Sequence, residues 1–152
     1  MNPIDYLKQE HEDIERELIE LETIINDMDN EINYPNLVHV FRKLHKIWNE
    51  HEKKEDEFFP ILERKRINIP VEKMLFEHKL LRKHKTAVYK AFISGSEFEI
   101  KKALNNDLKI IIEKLREHIN DEDDVLYILT LEEFDANELN KIWNKINENV
   151  EY

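Results

Sequence analysis

An all-α fold, in the form of an up-down-up-down four-helix bundle with a short C-terminal helix, is what the sequence predicts. Three observations carry it. A single Gly and four Pro among 152 residues leave few positions for the φ > 0 turns that hairpins and barrels need. The charged fraction of 38% is rich in the helix formers Glu and Lys. Apolar residues recur in steps of three and four over four long segments, the period of a helix with one buried face.

The first stripe is Ile4, Leu7, Ile14, Leu18, Leu21, Ile25 and Met28, with His11 holding the remaining place. Asn2 is placed as N-cap and Pro3 at the first helical position, and the segment from Asn30 to Pro35 reads as a connection. The second stripe is Leu37, Phe41, Leu44, Trp48, His51, Glu55, Phe58 and Leu62. Pro60 inside it is expected to kink the helix or loosen its last turn, and a break falls at Arg66 to Pro70. The third helix is expected from about Val71 to Ile93. Ser94-Gly95-Ser96 carries the only Gly, and Ser96 with Glu99 forms a capping box that opens the fourth helix.

The fourth stripe is Leu104, Leu108, Ile111, Leu115, His118, Glu122, Val125 and Leu129. It is the second stripe moved by 67 positions, the spacing of His51 and His118, so the chain contains an internal repeat. The same shift carries helix 1 onto helix 3, His11 onto His78 included, and only Leu18 against Lys85 spoils the apolar match. Short connections favour antiparallel neighbours, giving two helix hairpins in one bundle over residues 3–131. Asp135 and Glu138 cap a last amphipathic helix, 135–150, with Leu139, Ile142, Trp143, Ile146 and Val150 on one face. It reads as a lid on the bundle end, the alternative being a dimer contact or partner-docking helix. Residues 1–152 are expected to form one domain.

Composition narrows function. With no Cys, disulfides, thiolate metal sites and cysteine nucleophiles are excluded, so any metal must sit on His and carboxylates. A net charge of −11 without a basic stripe opposes nucleic acid and anionic membrane surfaces as partners. Apolar runs are short and the first residues lack a signal-peptide pattern, which predicts a soluble, cytoplasmic protein.

His11, His51, Glu55, His78, His118 and Glu122 occupy stripe positions where apolar side chains belong. Burying two carboxylates without cations costs several kcal/mol of hydration each, and the one basic stripe residue, Lys85, lies about two turns from His78. A dinuclear cation cluster removes that cost. At ~1.5 Å per residue, His11 and His78 lie at one level of parallel helices 1 and 3. Glu55 and Glu122 come near that level on the returning helices, each with its His one turn away. The i, i+4 spacing of His51 with Glu55 and of His118 with Glu122 puts each pair on one helix face. No His has a Glu three residues before it, which excludes the ferritin pattern. Four imidazoles and two carboxylates suit iron, and also accommodate Zn, Mn or Co; two bridging carboxylates favour the redox metal.

Glu10-His11-Glu12, His51-Glu52-Lys53-Lys54-Glu55 with Phe58-Phe59-Pro60, Glu77-His78, and His118-Ile119-Asn120-Asp121-Glu122 together resemble the hemerythrin-like family, the HHE cation-binding domain, from about Ile4 to Leu129. The resemblance implies two iron ions in a non-haem centre, oxo- or hydroxo-bridged, with terminal His ligands and both carboxylates bridging. Oxygen-carrying hemerythrins add a His four residues after the helix 3 His, where this chain has Arg82, and close helix 4 with His-x-x-x-x-Asp. Asp123 therefore competes with Glu122 for the bridging role, and the repeat with Glu55 favours Glu122. Without the fifth His, both irons keep an open position. The four-His, two-Glu set is closest to the di-iron domain of bacterial iron–sulfur-cluster repair proteins, whose additional Cys-bearing domain is missing here.

Other residues are set aside. His39, His45 and His84 fall between stripe positions and read as surface His. Glu10, Glu50, Glu77 and Glu117 each precede a proposed ligand and read as solvated, the alternative being acceptors for imidazole N–H groups. Arg82 and Lys85 either snorkel to the surface or guide an anion toward the cluster. Trp48, Phe41, Phe58 and Phe59 are expected to wall the site. The expected function is a di-iron protein that binds or reacts with O2, peroxide or NO, in stress response, sensing or iron handling. Its partners are these small ligands and an electron donor, and it is a monomer or homodimer. The alternatives are a reversible oxygen- or iron-binding protein without turnover, and a bundle that holds no metal.

Overall fold

The computed structural model describes residues 2–27, 33–66 and 69–148. Among these there are five helices and no strand: α1 (Pro3–Asn26), α2 (Tyr34–Lys65), α3 (Val71–Ser94), α4 (97–133) and α5 (Ala136–Glu148). Met28, the segment 28–32 of the first connection, and Val150 lie outside the described residues. None of the described helices is long and apolar enough to cross a membrane.

Local chemistry sets the boundaries. The Asn2 side chain accepts a 3.0 Å hydrogen bond from the Asp5 N–H, and Pro3 opens α1. Asn33 caps α2 in the same way through the Asn36 N–H. Tyr34 and Pro35, expected in the connection, therefore belong to the first turn of α2. Pro60 does not end the helix, which continues to Lys65. The backbone bond lost at Pro60 is outweighed by burial of Phe58, Phe59 and Leu62 around it. Gly95 closes α3 at φ 66, a conformation that costs glycine nothing. Ser96 accepts from the Glu99 N–H at 3.3 Å, but its own N–H goes to Ser94 Oγ instead of completing the box. Before α5 the box is reciprocal: Glu138 N–H reaches Asp135, and Asp135 N–H reaches Glu138.

Cross-helix pairs show α1 antiparallel to α2 and to α4, and α3 antiparallel to α4. Tyr6 and Glu10 of α1 meet Lys54 of α2, whereas Glu17 meets Lys43. Glu77 of α3 meets His118 of α4, and His84 meets Asp107. His11 and Glu22 of α1 meet Asp123 and Arg116 of α4.

The helix α4 departs from the sequence reading at one point that matters. It contains two π-helical turns, Leu104–Leu108 and Glu122–Leu126. A π turn inserts a residue and rotates the later side chains around the helix axis. Val125, placed on the buried stripe by the repeat, is consequently 46% exposed, whereas Leu126 and Tyr127 are fully buried.

The apolar core has two parts. The larger holds Ile14, Leu18, Leu37, Phe41, Trp48, Leu81, Leu108 and Leu115 among others. The smaller holds Leu7, Phe58, Phe59, Met74, Leu126 and Tyr127, capped by Leu139, Ile142 and Ile146 of α5. The helix α5 is thus a lid on the bundle end, with Trp143 packed edge-on against Phe58 and 5.8 Å from the Tyr6 ring. Between the two parts, a single polar level crosses the bundle.

Candidate metal centre

That level consists of His11 from α1, His51 and Glu55 from α2, His78 from α3, and His118 and Glu122 from α4, none more than 3% exposed. The structure brings all six together. One ligand atom from each of His11, His51, Glu55 and Glu122 lies within 4.8 Å of the others, and the same holds for Glu55, His78, His118 and Glu122. The two groups share both carboxylates and divide the four imidazoles in pairs. The paired rings are 4.6 Å apart for His11 with His51 and 4.7 Å for His78 with His118.

The imidazoles are oriented from outside. Each Nδ1 faces a carboxylate on a neighbouring helix: His11 to Asp123 at 2.8 Å, His51 to Glu10 at 3.0 Å, His78 to Asp56 at 2.8 Å and His118 to Glu77 at 2.8 Å. A carboxylate acceptor fixes the proton on Nδ1 and frees Nε2, the arrangement that positions and strengthens a metal-binding His. The four acceptors obey the internal repeat, since Asp56 maps on Asp123 and Glu10 on Glu77.

Each Nε2 turns inward. His51 Nε2 is 3.1 Å from Glu55 Oε1 and His78 Nε2 is 3.4 Å from the same oxygen. His118 Nε2 and His11 Nε2 are 3.1 and 3.3 Å from Glu122 Oε1. Despite these approaches, the Nε2 atoms of His51, His78 and His118, Glu55 Oε1 and both Glu122 oxygens are buried without a hydrogen-bond partner. Buried polar atoms are rarely left so. They converge on one void of about 10 Å³, bounded by all six residues with Trp48, Leu115 and Ile119. The shared donors suit cations, and the space excludes an organic substrate. A groove of about 620 Å³ between α1 and α4 reaches His11 from the surface past Lys8, Glu12 and Arg116.

Protons take over the balancing of charge in the metal-free protein. Burial disfavours the His51 cation, but Glu55 and Glu10 outweigh it and push the group up to about 9. His78 is pushed up to about 9 against the same burial by Asp56 and Glu55. The two carboxylates split. Burial and the Glu55 charge drive Glu122 well above the usual range, whereas the His51 charge holds Glu55 well below it in spite of burial.

Several residues differ from the sequence reading. Glu10 and Glu77, read as solvated, accept from imidazoles, though from those of the adjacent helix and not from their sequence neighbours. Glu50 and Glu117 are exposed, as expected. Asp123 lies on the outer nitrogen of His11, so the inward place belongs to Glu122. Lys85 does not snorkel: it is buried with its ammonium 4.4 Å from the Trp48 ring centre. Arg82 is bound to Glu52 and Asp56. His39 is exposed, whereas His45 and His84 are half-buried, against Tyr89 and Asp107 respectively.

Two further residues of the site, Asp56 and Tyr127, are absent from the residues singled out in the sequence. Tyr127 Oη donates to Glu55 Oε2 at 2.6 Å and lies 3.3 Å from His11 Nε2. Asp56 stands five residues after His51 as Asp123 stands five after His118, so the internal repeat was the signal that could have found it. The hemerythrin HHE cation binding domain matches residues 2–129, all of the bundle up to the last turn of α4. No curated protein and no solved structure gives a significant match.

Proposed function

Since the chain belongs to the hemerythrin HHE cation-binding family, we propose that it is a non-haem di-iron protein that binds or reacts with O2, peroxide or NO. Its setting is the cytoplasm, in stress response, sensing or iron handling. The observation that carries this reading is the pair of four-residue groups that share Glu55 and Glu122. One cation would need neither four imidazoles nor two carboxylates common to both groups. His11 and His51 would hold one iron, His78 and His118 the other, with both carboxylates between them. Nitrogen-rich sites with shared carboxylates favour iron over magnesium or calcium.

An iron pair supplies one-electron steps and open positions for diatomic ligands. The protein contributes the rest. Asp123, Glu10, Asp56 and Glu77 hold the imidazoles, and Tyr127 holds Glu55. Phe58, Phe59 and Trp48 keep the level dry. The small void is compatible with a diatomic molecule or peroxide as partner, and an electron donor would act from the surface.

Rapid mixing of the ferrous protein with O2 and with NO, followed by absorbance, tests the reading. Prompt oxidation by O2 or a stable nitrosyl signal supports it. A long-lived, reversible O2 adduct would make the protein a carrier, and no reaction with O2, peroxide or NO would remove the redox function.

A further inference from the structure

One difference between the two halves of the centre is a buried hydroxyl group. The internal repeat pairs His11 with His78 and His51 with His118, and their outer acceptors follow the same rule. Below the site the symmetry breaks. The π turn Glu122–Leu126 adds a residue, so the ring that lies against His11 is Tyr127, at 5.4 Å and 14°. The ring that lies against His78 is Phe59, at 6.4 Å and 27°. Both side chains are fully buried. The Tyr127 hydroxyl reaches Glu55 Oε2 at 2.6 Å and His11 Nε2 at 3.3 Å, and Phe59 offers His78 only hydrocarbon.

We propose that Tyr127 is a positioning residue that makes the two metal positions inequivalent, placing a hydroxyl beside His11 where His78 has none. The inference rests on the di-iron reading. The phenol has one O–H, which fixes the orientation of Glu55; with a small anion at the His11/His51 position the same O–H would turn from Glu55 Oε2 to that anion. The His78/His118 position, walled by Phe59, has no such donor. In a dry site a donor of this kind changes anion affinity by about tenfold.

The test uses the full chain loaded with 57Fe and saturated with azide as probe anion, and reads Mössbauer spectra, iron content and azide affinity. Wild type is expected to show two quadrupole doublets of equal area. Tyr127→Phe removes the hydroxyl and Phe59→Tyr supplies one on the other side, so both variants should draw the doublets together. Tyr127→Phe should also bind azide about tenfold more weakly. A single doublet in wild type, or unchanged doublets in both variants, would overturn the inference while leaving the di-iron reading intact. If Tyr127→Phe fails to hold iron, Phe59→Tyr decides alone. Absence of iron from wild type would instead defeat the di-iron reading itself.

Discussion

His11 and Asp123 meet through a 2.8 Å hydrogen bond from Nδ1, although 112 positions separate them in the chain. The contact gives Asp123 a role that differs from that of Glu122, its neighbour in sequence. Glu122 faces the void from α4, and Asp123 holds a ligand's outer nitrogen. Asp123→Asn should therefore keep the metal stoichiometry and lower affinity by roughly 10- to 100-fold, the usual cost of losing an outer partner of a metal-bound His. Competition against a chelator measures it. Loss of one metal from Asp123→Asn would make Asp123 a ligand.

Glu122→Gln separates stability from function. Without metal, burial and the Glu55 charge already push the Glu122 carboxyl toward its neutral form. A neutral amide of the same shape keeps that uncharged form without taking up a proton. The metal-free variant should denature within ~1 kcal/mol of wild type, or above it, while losing dinuclear metal binding. Urea denaturation and metal analysis of the same preparation check both halves.

The pH dependence originates in the imidazoles. His51 and His78 rise from 6.5 to about 9 on folding without metal. A group raised on folding stabilises the native state fully below its unfolded value and loses that contribution as pH climbs through its folded value. The melting temperature of the metal-free protein should therefore fall between pH 6.5 and pH 9. Metal-loaded protein, whose imidazoles are neutral, should not show that fall. Differential scanning calorimetry of both forms across this window supplies the comparison.

The lid is tested through Leu139, which is fully buried in the smaller apolar cluster. Leu139→Ala leaves a cavity in that cluster and should cost about 2–5 kcal/mol. Lys141, exposed on the same helix, should tolerate Ala within ~0.5 kcal/mol. Equal effects of the two substitutions would mean that α5 is not packed on the bundle end.

The bundle, its capping residues and the six inward side chains were legible in the sequence because helix period and repeat act along one chain segment at a time. Asn2, Ser96 and Asp135 each announce a helix start from local chemistry, and each side chain accepts the bond expected of it. What spacing does not reveal is partnership across helices. Glu10 and Glu50 both precede a His, yet Glu10 alone reaches an imidazole, because its direction around α1 faces α2. Tyr127 was hidden for a different reason. A repeat projected with a constant shift assigns the inward place to Val125, and the π turn beginning at Glu122 moves it to Leu126 and Tyr127. Lys85 escaped because a charged stripe residue is expected to reach for water, whereas the Trp48 ring holds it in place.

The most direct measurement is iron per chain after anaerobic Fe(II) loading and desalting, with Glu55→Ala alongside. Two irons in wild type and a loss in the variant are expected, since Glu55 belongs to both four-residue groups. No retained iron in wild type, or an iron content that Glu55→Ala leaves unchanged, would contradict the dinuclear centre.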